Sequence, residues 1–146
     1  MLTPLVVTLT NGTRKEWYTP TFIRSRLEDA ADTLKRLPAG RNAFPAGLRA
    51  NWPPIVRNFF DAYGRDQEQE LRIPPQARAI TRMDEVLLWL NLIEQVQIRR
   101  IVFARALGMS LRKIGRQSGL SHEHVRRLES NGLETIATML NRQQGK

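Results

Sequence analysis

The stretch that decides the fold is residues 108–128, which read GMSLRKIGRQSGLSHEHVRRL. Ser110 and Ser121 belong to the residue types favoured at helix N-caps, where a side-chain oxygen accepts a hydrogen bond from a backbone N–H of the first turn. The stretch therefore predicts two short helices, one over 111–118 and one that begins at 122 and ends near 130.

Two glycines and four apolar residues indicate how these helices would pack. Gly115 supplies the small residue that a close crossing of two helices needs, and Gly119 tolerates the positive φ of a turn between them. The apolar residues at the inner positions are Ile114, Leu120, Val125 and Leu128. Ser118 stands where an apolar residue is common. The spacing predicts a helix-turn-helix over about residues 110–130.

Helices are also expected on both sides of this unit. Gln97–Leu107 predicts a basic amphipathic helix that ends at Gly108, and a last helix carries an apolar stripe of Leu133, Ile136, Ala137 and Leu140. Asn131-Gly132 is expected to cap the second helix of the unit, because glycine is favoured just beyond a helix C-terminus. We therefore expect a C-terminal domain over 96–142, made of three to four short helices.

The first two thirds of the chain predict a helical platform over 17–95. Its first helix opens at Thr19-Pro20 and has one apolar face of Ile23, Leu27, Ala30, Leu34 and Leu37. A second helix is expected to start at Pro53-Pro54. A third has an inner face of Met83, Val86, Leu87, Leu90, Ile93 and Gln97, with Trp89 beside it in the core. The expected fold class is all-α.

Three segments lie outside the predicted helices. Residues 1–16 form an N-terminal arm in which Leu5–Thr10 is β-branched but has no evident partner, so a strand and a disordered tail fit it equally well. Arg41–Asn51 and Arg65–Glu70 are expected to be loops. The second loop carries Asp66, Glu68 and Glu70. A solvated loop is favoured there over a metal site, because no histidine or further carboxylate completes one.

Charge is concentrated in one part of the chain. The formal net charge is +9, from 23 basic and 14 acidic residues. Residues 98–128 hold eight basic side chains against Glu123 alone, a balance of +7, while residues 1–97 balance to +2 and residues 129–146 to zero. Clustered Lys and Arg favour a polyanionic partner, because neutralising phosphates releases their counterions. The charge therefore points to nucleic acid at the predicted helix-turn-helix.

The predicted unit assigns roles to its polar residues. Such a unit presents the N-terminal residues of its second helix to base edges in the major groove of double-stranded DNA. The candidates for base reading are Ser121, His122, Glu123, Arg126 and Arg127. Arginine can bind guanine in a bidentate pair, and glutamate can accept a hydrogen bond from cytosine. The candidates for phosphate contacts are Arg99, Arg105, Ser110, Arg112, Lys113 and Arg116.

Composition and spacing disfavour other kinds of site. The chain has no cysteine, which excludes disulfides and thiolate metal sites. His122 and His124 point to different faces of a helix, so a shared metal is not expected. There is no nucleophile–base pair and no glycine-rich phosphate loop. We expect no catalytic residue, no metal, no cofactor and no enzyme activity.

The chain is expected to be cytoplasmic and to cross no membrane. It contains no apolar run of the roughly 18 residues that a membrane span needs. The apolar stretch within Met1–Thr10 has no basic region before it and no small-residue cleavage site after it, so it does not predict a secretory signal.

Motifs along the chain support a family resemblance. They are Arg26-Leu27-Glu28-Asp29-Ala30-Ala31 through Leu37-Pro38, Trp52-Pro53, Arg82-Met83-Asp84-Glu85 with Trp89-Leu90, the predicted helix-turn-helix, and Ile136-Ala137 through Leu140-Asn141. In this layout, residues 17–142 resemble a family of small helix-turn-helix proteins of unknown function from alphaproteobacteria and their phages. The run Arg100–Glu129 also resembles the DNA-binding fourth region of bacterial sigma factors and the related response-regulator output domain. The first resemblance implies a phage or prophage origin.

Three functions fit these expectations. The first is a sequence-specific transcription regulator that acts as a homo-oligomer, with a dimer favoured because one short recognition helix rarely supplies enough specificity. The second is the small DNA-recognition subunit of a phage terminase. The third is a sigma-like module that binds RNA polymerase. A nuclease is the least favoured.

Overall fold

The computed structural model describes the backbone of residues 5–8 and 14–17, and all atoms of residues 18–37, 52–59 and 74–144. Its elements are β1 (Leu5–Thr8), β2 (Arg14–Trp17), α1 (Pro20–Arg36), α2 (54–59), α3 (Ala77–Leu88), a 3₁₀ helix (Trp89–Leu92), α4 (Val96–Ala106), α5 (Leu111–Ser118) and α6 (His122–Gln144). The predicted loops at 41–51 and 65–70 lie outside the described residues. The body is helical, which confirms the predicted all-α class. No helix in the described ranges is long and apolar enough to cross a membrane.

A two-stranded ribbon precedes the helices. β1 pairs antiparallel with β2, with Leu5 opposite Trp17 and Thr8 opposite Arg14. The sequence suggested a strand at Leu5 but no partner for it. The partner was missed because Arg14–Trp17 carries three charged residues and lacks the β-branched composition by which strands are recognised.

α1 forms where the sequence predicts it. The Thr19 hydroxyl accepts a hydrogen bond from the Phe22 backbone N–H at 3.2 Å, and Pro20 occupies the first helical position, where its missing N–H costs nothing. All five residues of the predicted apolar face are buried: Ile23, Leu27, Ala30, Leu34 and Leu37. The helix ends at Arg36 because Leu37 turns to an extended conformation.

The third predicted helix is interrupted, although the sequence indicated one continuous inner face from Met83 to Gln97. Five of its six predicted inner residues are buried, as is Trp89, but Gln97 is exposed, so its inclusion in that face was wrong. The reason is a change of helical phase: α3 ends at Leu88, a 3₁₀ helix follows, and Ile93 adopts an extended conformation before α4 begins at Val96.

α6 is one continuous helix of 23 residues, which contradicts the predicted C-cap at Asn131-Gly132 and the separate last helix. The glycine has a different purpose. A Cβ atom at position 132 would lie 2.6 Å from Val102 Cγ2 and 2.8 Å from Ile98 Cγ2, both on α4. The helix therefore needs glycine inside it because α6 crosses α4 at very close range. In place of the expected three to four short helices, this part of the chain forms α4 with three turns, the short α5 and the long α6.

One large core joins the two predicted domains. Its members come from α1, α2, α3, the 3₁₀ helix, α4 and α6 and include Leu27, Leu34, Val56, Met83, Leu87, Leu90, Ile98, Val102, Leu133 and Ile136. The Trp52 indole N–H, just before α2, donates to the Asp84 carboxylate on α3 at 2.9 Å. The predicted boundary at 95/96 thus separates two stretches of sequence that contribute to the same core.

Replacing Gly132 with alanine is expected to lower the free energy of unfolding by about 1–2 kcal/mol. The added methyl overpacks against two β-branched side chains, and that cost exceeds the roughly 1 kcal/mol that alanine gains in helix propensity. Denaturant unfolding would measure the change. Ser130→Ala, at an exposed position of the same helix, is the control and should be neutral or slightly stabilising. A Gly132→Ala protein more stable than wild type would contradict the close crossing.

Candidate nucleic-acid interface

The N-cap and the turn glycine predicted at the two ends of α5 are both present. The Ser110 hydroxyl accepts a hydrogen bond from the Lys113 backbone N–H at 3.2 Å, which caps the helix. The helix ends at Gly119, which has φ +73° and whose N–H donates to the Gly115 carbonyl. This left-handed conformation reverses the chain direction, so that α6 begins three residues later.

Gly115 is required by the turn itself. A Cβ atom at this position would lie 2.6 Å from the Leu120 carbonyl oxygen, and the nearest atom of α6, the His122 backbone nitrogen, would be 3.7 Å away. The sequence predicted a small residue here for a close contact between the helices. The structure places the tightest contact against the backbone of the turn, which cannot move aside as a side chain could.

A small second core holds α4, α5 and α6 together. It is built on Ile101, Ile114 and Val125, with Leu120 and Leu128 partly buried against it. Ser118, which stands where an apolar residue is common, is exposed and donates its hydroxyl to the Ile114 carbonyl at 2.7 Å. The serine hydroxyl is therefore satisfied by the backbone of its own helix.

The start of α6 leaves the predicted base-reading residues accessible. The Ser121 hydroxyl accepts a hydrogen bond from the His124 backbone N–H at 3.2 Å, as an N-cap does. Every predicted base-reading residue is exposed: Ser121, His122, Glu123, Arg126 and Arg127. Glu123 lies 4.0 Å from an Arg126 guanidinium nitrogen and 3.9 Å from His122 Nε2. Such exposed contacts are weak, so these side chains can exchange them for a ligand at little cost.

Four of the six predicted phosphate-contact residues lie on the neighbouring surface. They are Ser110, Arg112, Lys113 and Arg116, all exposed on α5 or at its N-cap. With Arg126, Arg127 and the exposed Arg100 on α4, they leave six accessible cations on the helices of this unit. We call this set the basic surface: Arg100, Arg112, Lys113, Arg116, Arg126 and Arg127.

The other two predicted phosphate contacts, Arg99 and Arg105, are engaged inside the protein. The Arg99 guanidinium donates to the Leu90 carbonyl at 3.1 Å and to the Ile93 carbonyl at 2.7 Å, which ties the end of the 3₁₀ helix to α4. Arg105 donates to the Glu129 carboxylate at 3.2 Å and to the Met109 carbonyl at 2.9 Å. Both side chains therefore serve the fold in this structure.

Glu129 is a buried charged residue that the sequence analysis missed. Its side chain is 4% exposed and lies between two arginines, with Oε1 3.3 Å from Arg24 on α1 and Oε2 3.2 Å from Arg105 on α4. A further contact between α1 and this region is the hydrogen bond that Lys35 Nζ donates to the Leu107 carbonyl at 2.7 Å. Arg24 lies more than one hundred positions before Glu129 in the chain, so only the tertiary structure could identify it as a partner. Through these contacts α1 sets the position of the turn that precedes α5.

Neutralising the Glu129 carboxylate is expected to destabilise the fold. Glu129→Gln should lower the free energy of unfolding by about 1–2 kcal/mol, less than the roughly 3–5 kcal/mol typical of a fully buried pair, because both arginines keep access to solvent. The matched control is Glu134→Gln, an exposed glutamate of the same helix, which should change stability by less than about 0.5 kcal/mol. Equal effects at both positions in denaturant unfolding would show that Glu129 has no such role.

The described residues form other concave features, among them a pocket of about 190 Å³ between α1 and α3 lined by charged side chains such as Arg26, Asp29 and Arg82. A groove of about 840 Å³ lies between α2, α4 and α5, with mainly apolar walls such as Phe59, Phe103 and Met109. Among the residues that the structure describes, no group of three His, Asp or Glu side chains could hold a metal ion.

Comparison with known proteins gives one match. A family model described as a domain of unknown function, DUF6362, matches residues 35–136, which is more than half of the chain. No curated protein and no solved structure matches the chain.

Proposed function

The chain belongs to the DUF6362 family, and we propose that it is a sequence-specific double-stranded DNA-binding protein, a transcription regulator of phage or prophage origin. The observation that carries this proposal is the basic surface beside the exposed start of α6. Five of its six cations lie on α5 and the first two turns of α6, where Glu123 is the one acidic residue. The phage origin is supported by the resemblance of the motifs alone.

The start of α6 suits the major groove of DNA. That groove is about 12 Å wide and admits an α-helix. The side chains of the first two turns are exposed except for the buried Val125 and the partly buried Leu128, which anchor the helix to the second core. Arg126 and Arg127 are the residues for guanine, and Glu123, beside Arg126, is the residue for cytosine. Ser121 and His122 lie at the helix tip, within reach of base edges or phosphate.

The cations of α5 supply affinity and register. Arg112, Lys113 and Arg116 can contact phosphates, which hold the protein on the duplex without reading its sequence. The α5 N-terminus at Ser110 adds backbone N–H groups that favour a phosphate. Arg99 and Arg105 have no direct phosphate contact in this proposal, because their guanidinium groups hold carbonyl and carboxylate oxygens of the protein.

The base-reading role is tested by removing the two arginines singly. Once a preferred duplex has been selected from random DNA, Arg126→Ala and Arg127→Ala should each weaken binding to it by about 1–3 kcal/mol per bidentate contact and relax the preference at one base pair. Equilibrium titration against matched and mismatched duplexes measures both effects. Arg142→Ala, an exposed arginine near the far end of α6, is the control and should bind as wild type. If both arginine variants kept wild-type affinity and preference, the assignment of α6 would fail.

The phosphate role has a different signature. Arg112→Ala and Lys113→Ala should each weaken binding to all duplexes by a similar factor. Each should also reduce the slope of log Kobs against log salt by about 1, because one counterion fewer is released. Binding measured at four or five salt concentrations provides the slope. A loss confined to one sequence, with the slope unchanged, would reassign these residues to base reading.

The proposed regulator needs neither a cofactor nor catalysis, and it acts in the cytoplasm. The number of copies in the assembly distinguishes this proposal from the small terminase subunit. A regulator with one recognition helix per chain works as a dimer on two half-sites. A terminase subunit forms a ring of roughly eight or more copies. Failure to bind any duplex at moderate salt, with RNA polymerase bound, would instead favour the sigma-like reading.

A further inference from the structure

Among the residues that the structure describes, neither outer edge of the ribbon of β1 and β2 has a partner strand. In the part of the chain that the structure describes, these are its two strands, so each of them is hydrogen-bonded along one side and open along the other. An isolated two-stranded hairpin is at best marginally stable in water. Open strand edges are also templates for pairing with another strand. The ribbon therefore has backbone groups that a further strand would satisfy.

The two open edges differ in composition. β2 reads Arg-Lys-Glu-Trp, and charged residues on an edge strand are a device by which proteins prevent pairing. β1 reads Leu-Val-Val-Thr and has no charged residue. Three of its four residues, Val6, Val7 and Thr8, are of types enriched in strands. Of the two edges, β1 is the one on which nothing in the sequence opposes pairing.

We infer that β1 pairs antiparallel with β1 of a second copy of this chain, giving a four-stranded sheet in the order β2-β1-β1-β2 across a two-fold axis. A two-fold contact uses the same patch on both copies, so an uncharged strand meets itself without placing like charges together. The same contact through β2 would pair a strand in which three of four residues are charged, the composition that opposes pairing at an edge. The charged strands take the outer edges of the sheet, where they block further growth.

The root of the ribbon keeps this contact away from the DNA surface. The Tyr18 N–H, one residue after β2, donates to Asn141 Oδ1 at 2.7 Å, and the Asn141 amide donates back to the Tyr18 carbonyl at 2.9 Å. Asn141 lies about 28 Å along α6 from His122, at 1.5 Å per residue. The ribbon thus leaves the body at the far end of the helix whose first turns face DNA. Pairing there leaves the basic surface uncovered.

The purpose of this dimer rests on the proposed function, because two half-sites need two recognition helices. Two four-residue strands bury far less than the roughly 1,200 Å² of a stable interface, so the free dimer is weak and concentration-dependent. Binding of both copies to one duplex raises their effective concentration and strengthens the pairing.

The experiment measures the mass of the full chain without DNA, by sedimentation equilibrium over a wide range of protein concentration. Two double variants place like charges on the paired edge: Val6→Lys with Val7→Lys, and Val6→Glu with Val7→Glu. Each puts one like and one opposite charge against Glu16 and Lys15 of β2, so both affect the ribbon equally. The control exchanges the charges of the outer strand, Lys15→Glu with Glu16→Lys.

The average mass of the wild type and of the control should rise with protein concentration towards twice the 16.8 kDa of one chain. The average mass of each double variant alone should stay at that of one chain. An equimolar mixture of the two double variants should recover the dimer, because lysines then face glutamates. The inference is overturned by a monomeric wild type at the highest soluble concentration, by variants that associate as wild type does, by a mixture that stays monomeric, or by an assembly larger than a dimer. DNA binding that fails while dimerisation persists would overturn the proposed function alone.

Discussion

The close crossing of α6 over α4 at Gly132 is the constraint on which the rest of the structure depends. A side chain at that position would overlap Val102 and Ile98, so the two helices approach as closely as glycine alone permits. Gly132 lies inside α6 and does not end it. The helix therefore runs without a break from the exposed residues at its start into the large core at Leu133 and Ile136. The exposed start of the helix is therefore held both by Val125 in the second core and by packing several turns away.

The buried carboxylate of Glu129 adds a second link between α6 and the helices packed against it. Glu129, one turn before Gly132, links α6 to α1 and α4 through two arginines. Burying such charges costs desolvation energy, so the network is weak evidence for stability. Its contribution is geometric: Arg105 holds Glu129 and the Met109 carbonyl together, which joins α6 to the segment that leads into α5. The platform helix α1 thus helps to aim the basic surface.

What the sequence could predict follows the range of the interactions. The caps at Thr19, Ser110 and Ser121 and the positive φ of Gly119 depend on neighbours within a few residues, and each was predicted. Apolar faces within one helix were predicted as well. Gly132 was misassigned because a glycine near a polar residue looks like a C-cap when the helix packed against it is unknown. The roles of Arg99 and Arg105 were missed for the same reason: their partners are brought close by the fold, and charge counting treats every arginine as free.

α6 also connects the two contacts that a DNA-binding dimer needs. Its first turns carry Arg126 and Arg127, and its last turns hold Tyr18 at the root of the ribbon through two hydrogen bonds of one amide. The helix is continuous between these two places, so no loop separates Asn141 from Arg126 and Arg127. Two copies joined at the ribbon would hold their recognition residues at a separation set by the length of α6. A sequence-specific dimer requires such a spacing, because its half-sites recur at fixed multiples of the DNA helical turn.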